Sequence, residues 1–139
     1  MKSLLLLLLL VILTSASEIS NFSLTIHITG FPSNEGKAYV GIYRPQDKWP
    51  EINKQYIGKV ATIENGVAKF TFENLEQGSY AIAVFHDRNR NGILDKNMLG
   101  MPVEKYGFSN NARETFSAPS FQSAAISLDK PKWISIKVK

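Results

Sequence analysis

Apolar and polar residues alternate with a period of two along most of this chain. Phe22, Leu24, Ile26 and Ile28 alternate with Ser23, Thr25, His27 and Thr29. Successive side chains of a strand point to opposite faces, so this pattern predicts a half-buried strand. Turn residues follow from Gly30 to Gly36, and Ala38, Val40 and Ile42 then alternate with Tyr39, Gly41 and Tyr43 as a second strand. Pro45 to Gln55, with Trp49 and Pro50, reads as a loop. Tyr56–Ile63 and Val67–Phe72 flank Glu64-Asn65-Gly66. Asn-Gly between alternating runs predicts a tight hairpin, because both residues accept the positive φ of a type I′ turn.

After a turn at Leu75-Glu76-Gln77-Gly78, Ser79 to His86 is apolar on both faces. That predicts a central strand covered on both sides. Phe121–Leu128 and Trp133–Val138, joined by Asp129-Lys130-Pro131, complete seven strands. The expected fold is an all-β, seven-stranded antiparallel β-sandwich, with one long loop over 87–120. A connection of that length without regular structure usually carries function.

The first line of the chain does not share this rhythm. Met1-Lys2-Ser3 is a short basic start, Leu4 to Leu13 is an unbroken apolar run, and Thr14 to Ser17 are small. This is the form of a secretory signal peptide, too short to span a bilayer comfortably. The expected organisation is a signal peptide at 1–17 and a single sandwich domain at 18–139. The chain would be exported to the periplasm or the cell exterior, with no stable membrane insertion after cleavage. The 139 residues contain no cysteine. Disulfides, thiolate metal sites and cysteine nucleophiles are therefore excluded. The formal charge of +4 is mild. Its lysines cluster only near the C-terminus (Lys130, Lys132, Lys137, Lys139), which suits edge protection better than nucleic-acid binding.

Candidate chemistry concentrates in the long loop. In Asp87-Arg88-Asn89-Arg90-Asn91-Gly92-Ile93-Leu94-Asp95, oxygen side chains recur at Asp87, Asn89, Asn91 and Asp95. Gly92 permits a sharp turn, and Ile93 could add its carbonyl. Calcium takes oxygen ligands from a loop curled in this way, and the spacing resembles the first part of an EF-hand. Met98 stands where a bidentate glutamate would close such a loop, so the expected affinity is weak unless Glu104 joins. The alternative is a self-bonded turn, since Asn and Asp bond their own backbone and tolerate left-handed conformations.

Downstream, Tyr106, Phe108, Ser109, Asn110 and Asn111 form a second candidate. They are either a platform for a glycan or peptide, or aromatic anchors and backbone-bonding amides. His86 beside Asp87 is the one arrangement suggesting a small hydrolase, with Ser109, Ser117 or Ser120 as nucleophile. None of these serines lies in a Gly-x-Ser-x-Gly context, and adjacent strand residues face opposite ways. The expected role is non-catalytic, with no organic cofactor.

The blocks SYAIAVFHDRNRNGILDKN, LGMPVEKYGFSNNAR and APSFQSAAISL, with the opening LTIHITGFPSNEGKAYVGIY, resemble the bacterial family DUF2141 in content and order. The resemblance covers essentially all of the chain after the signal. It implies a secreted transthyretin-like or immunoglobulin-like sandwich with no established activity. The function expected is that of a monomeric interaction module for an envelope protein or a glycan, not of a catalyst.

Overall fold

The computed structural model describes residues 16–139. The expected signal peptide at 1–17 therefore lies, apart from Ala16 and Ser17, outside the described residues. Eight strands follow in order: β1 Asn21–Thr29, β2 Lys37–Tyr43, β3 Ile57–Ala61, β4 Ala68–Glu76, β5 Gly78–Asp87, β6 Tyr106–Phe108, β7 Ile126–Leu128 and β8 Lys132–Lys137. A single helical turn, α1 Phe121–Ala124, precedes β7. One sheet has the order β4-β1-β8. The other has the order β3-β2-β5-β6, with β7 also pairing to β5.

The two sheets pack as a sandwich because their inward positions are the alternating apolar ones. Leu24, Ile26 and Ile28 of β1, Phe70 and Phe72 of β4, and Ile136 of β8 meet Val40, Ile42, Ile82 and Val84 from the opposite sheet. Burial of this kind stabilises by roughly 1.5–3 kcal/mol per large aliphatic or aromatic side chain. The Asn-Gly hairpin forms as expected. Asn65 and Gly66 take φ of 52° and 74°, and Glu64 and Val67 exchange backbone hydrogen bonds at 2.9 and 3.0 Å.

The sandwich differs from the sequence expectation in three ways. First, β8 runs parallel to β1, from Leu24↔Lys132 to Thr29↔Lys137. The chain crosses between sheets at Asp129-Lys130-Pro131 and arrives on the β1 edge in that direction. Second, Phe121–Ala124 is helical rather than extended, and only Ile126–Leu128 is strand. Ser120 caps the turn by accepting the Ser123 N–H at 3.1 Å, as N-cap serines do. Third, the long loop contains β6, which pairs with β5. β6 is too short to show a period of two. It depends on Gly107, where a Cβ would stand 2.9 Å from the Lys137 carbonyl oxygen. The C-terminal residue closes this corner, since Lys139 and Tyr106 exchange backbone hydrogen bonds at 3.1 and 3.3 Å.

Between its pairings with β6 and β7, β5 has a gap. Ser109 fills it. Its buried hydroxyl accepts the Ile82 N–H at 2.9 Å and donates to the Ala124 carbonyl. Ser109→Ala should therefore cost roughly 1–3 kcal/mol, because both backbone groups lose a partner away from water. Thermal denaturation checks this, and an unchanged melting temperature would contradict the role given to Ser109.

Candidate functional site

The outer face of the β3-β2-β5-β6 sheet is not left to solvent. One half carries a second small core. Trp49 from the β2–β3 loop packs edge-on against Tyr43, Phe108 and Phe121, with ring centroids 5.1, 5.4 and 6.1 Å apart. Its indole N–H donates to the Pro119 carbonyl at 2.8 Å. Trp49 thus ties the loop after β2 to the segment before α1. Ala81 and Ala124 are buried in the same cluster. This explains why β5 is apolar on both faces.

The other half is an open groove of about 920 Å³. Its floor is made by outward positions of the strands: Tyr39 and Gly41 of β2, Gly58 and Val60 of β3, and Ala83 and Phe85 of β5. Tyr39 and Phe85 are register partners whose rings stack at 4.9 Å. Gly41 and Gly58 are also partners, and Gln55 lies over them. A Cβ at Gly58 would come within 2.8 Å of the Gln55 amide nitrogen. Ile52 walls the groove from one loop, Ile93 and Met101 from the long loop, and Phe116 from the segment before α1. All four side chains are exposed. A concave, mainly apolar surface with a few polar groups is the usual form of a binding site.

The loop after β2 is held firmly. Arg44 pairs with Asp47 at 3.0 Å and lies over the Tyr56 ring at 3.9 Å. The side-chain bond to Arg44 holds the Asp47 carboxyl below its ordinary range. Tyr43 donates to the Glu51 carbonyl at 2.8 Å. Burial, aided by the negative charges of Asp47 and Glu51, pushes its phenol up to about 12. The folded protein thus keeps a proton on Tyr43 that the unfolded chain loses near pH 10. The stability from this group is complete below pH 10 and disappears as pH rises through about 12. An ultraviolet titration of Tyr43→Phe against the parent should remove the last tyrosine to ionise. Loss of an early-titrating tyrosine instead would contradict the assignment.

The expected cation loop folds into a tight, self-bonded turn that walls the groove. Asp87 is fully buried at the end of β5. Its carboxylate accepts the backbone N–H of Asn91 at 3.0 Å and of Gly92 at 2.8 Å. The Asn89 and Asn91 side-chain amides donate to Asp95 at 2.7 and 2.9 Å. The Ile93 N–H bonds the Asn91 side-chain oxygen at 3.1 Å, and the Ile93 side chain faces the groove. Glu104 joins the loop, accepting from the Arg88 and Asp95 N–H groups at 3.0 and 3.1 Å. Among the described residues, no group of three or more His, Asp or Glu side chains stands ready to hold a metal ion.

The second candidate set is divided between groove and scaffold. Tyr106 and Phe108 border the groove. Asn110 donates to the Ser123 and Ala125 carbonyls at 3.2 and 2.9 Å. Asn111 accepts the Lys137 N–H at 2.8 Å. Ser109, Asn110 and Asn111 therefore bind the chain's own backbone.

His86 faces the sandwich interior, in line with Ile82 and Val84. It bonds the Glu35 carbonyl at 2.6 Å and meets the edge of Phe31 at 5.3 Å. Asp87 lies on the opposite face, and the Ser120 hydroxyl is occupied in capping α1.

The groove floor was not singled out from the sequence. The signal available was the second apolar face of β5, together with Tyr39 and Gly41 on its neighbour. What covers a face depends on where loops fold back, and strand periodicity does not record that.

Together these features define an all-β sandwich bearing a loop-walled groove on one outer face. Residues 26–135 match the family described as "Uncharacterized protein conserved in bacteria (DUF2141)". The chain belongs to this family. No curated protein and no solved structure matches it.

Proposed function

We propose that this protein is a non-catalytic binding module, exported from the cytoplasm, that takes an extended hydrophobic segment of a partner protein in the outer groove. The apolar groove beside an edge strand carries this reading. β3 ends its sheet and has one strand neighbour, while Gly58 and Val60 present it to the groove. A peptide adding to such an edge makes main-chain hydrogen bonds and sends alternate side chains into the depression. The apolar walls, and the engagement of Asn110 and Asn111 with backbone, favour a peptide over a glycan. The bonds made by His86 and Ser109 support a non-catalytic role. Export rests on the apolar run from Leu4 to Leu13 and the small residues after it.

A photo-cross-linking side chain at Val60 tests this reading, with a control at exposed Asp129 on the turn between β7 and β8. The same partner should be captured from Val60 and not from Asp129, and a competing hydrophobic strand peptide should reduce it. Equal capture from both positions would refute it.

A second reading concerns calcium, and the recurrence of oxygen side chains at Asp87, Asn89, Asn91 and Asp95 in one loop favours it. Millimolar calcium should then raise the melting temperature, and chelation should reverse the rise. No shift would remove calcium from the account.

A further inference from the structure

The strand-to-strand segment beyond the groove ends in a rigid apolar knob. Lys96 and Pro102 form an isolated antiparallel bridge. The Asn97 side-chain oxygen accepts the N–H groups of Leu99 and Met101 at 2.9 and 3.0 Å. Gly100, at φ 76°, returns its N–H to the Asn97 carbonyl at 3.0 Å. The turn built in this way holds Met98 and Leu99 wholly outward, with relative exposures of 104% and 86%. Phe116, at 90%, borders the same groove as Met101 and Lys96. Adjacent protruding apolar side chains on a backbone-bonded turn mark a contact surface.

Within the segment from Asp87 to Lys105 the charges are sorted by sign. The carboxylates of Asp87, Asp95 and Glu104 turn inward onto backbone and amide N–H groups. Arg90, Lys96 and Lys105 remain exposed in the same segment. Apolar tips flanked along the chain by exposed cations suit a surface that is apolar inside and anionic outside.

We propose that the 96–102 turn docks this end of the sandwich on an anionic lipid surface, with Met98 and Leu99 entering the headgroup boundary and Lys96 and Lys105 meeting lipid phosphates. Binding of this kind combines buried apolar area with attraction to anionic headgroups. Each cation near such a surface adds to the attraction, and salt screens it. This inference does not depend on what the groove holds.

The test uses the chain from Glu18 onwards, which retains every strand and the whole described core. It is sedimented with vesicles of phosphatidylcholine alone and of phosphatidylcholine with phosphatidylglycerol. The protein should bind the mixed vesicles, bind less as salt rises, and bind the neutral ones weakly. Met98→Asp with Leu99→Asp should reduce binding about tenfold or more. Its melting temperature should stay at the parent value, because both side chains are in water. Lys96→Glu should also weaken binding. Sedimentation no greater with phosphatidylglycerol than without would overturn the proposal, and is the outcome expected if the knob serves a protein instead. Unchanged binding by the double variant would overturn it as well.

Discussion

Gly36→Ala should be among the most damaging single substitutions, destabilising the protein by about 3 kcal/mol or more. Gly36 ends the turn before β2 at φ +74°, where side-chain-bearing residues are strained. An added Cβ would also stand 2.0 Å from the Asp87 carbonyl oxygen and 2.6 Å from the Arg88 Cα. Those neighbours are backbone, so no side-chain rotation can relieve the clash. The β1–β2 turn and the start of the long loop would have to separate. That movement would also loosen the Arg88–Glu35 pair, at 2.8 Å, and the His86 bond to the Glu35 carbonyl. Chemical denaturation measures the effect. A loss below about 1 kcal/mol, within reach of an ordinary surface change, would mean that the close approach is not structural.

Asp87→Ala should cost about 3 kcal/mol and should act locally as well as globally. The carboxylate is buried and holds the Asn91 and Gly92 N–H groups. With it removed, the turn that carries Ile93 into the groove wall loses its anchor. Asp87→Asn keeps one acceptor oxygen and should retain part of the stability. Amide hydrogen exchange at Asn91 and Gly92 should rise sharply in Asp87→Ala, while exchange in β1 and β2 should follow global stability alone. Parent-like protection at Asn91 and Gly92 would contradict the anchoring role. This expectation holds without any ion and so separates the turn's intrinsic stability from any calcium effect.

Much of the sandwich is legible in the sequence because one face of each long strand is buried. Leu24, Ile26 and Ile28 on β1, and Val40 and Ile42 on β2, show the period of two directly. The Asn65-Gly66 turn is legible because type I′ geometry requires such residues. β6 is not, because three residues around Gly107 carry no period. The parallel pairing of β1 with β8 leaves no mark either, since alternation looks the same in both directions. At Phe121 the apolar pattern fits a strand, yet Ser120 and Ser123 stabilise a helical turn that delivers the ring to Trp49.

The candidate site shows the same division. The Asp and Asn residues of 87–95 are visible as a loop that bonds itself, because their spacing encodes local hydrogen bonds. The groove is assembled from strands and loops distant in sequence, and only tertiary folding brings Tyr39, Val60, Ala83 and Phe116 to one surface. His86 illustrates the converse. Its neighbour in sequence is Asp87, but the pleat sends the two side chains to opposite faces.

The central claim is that the outer groove and the β3 edge form one binding surface. Its most direct test is a ¹H–¹⁵N NMR titration of the chain from Glu18 with a short peptide of alternating valine and threonine. The account predicts shifts concentrated at Gly58, Lys59 and Val60 of β3 and at Gly41 and Ala83 on the groove floor, abolished by proline substitutions within the peptide. Shifts confined to the β4-β1-β8 sheet, or none at saturating peptide, would contradict it.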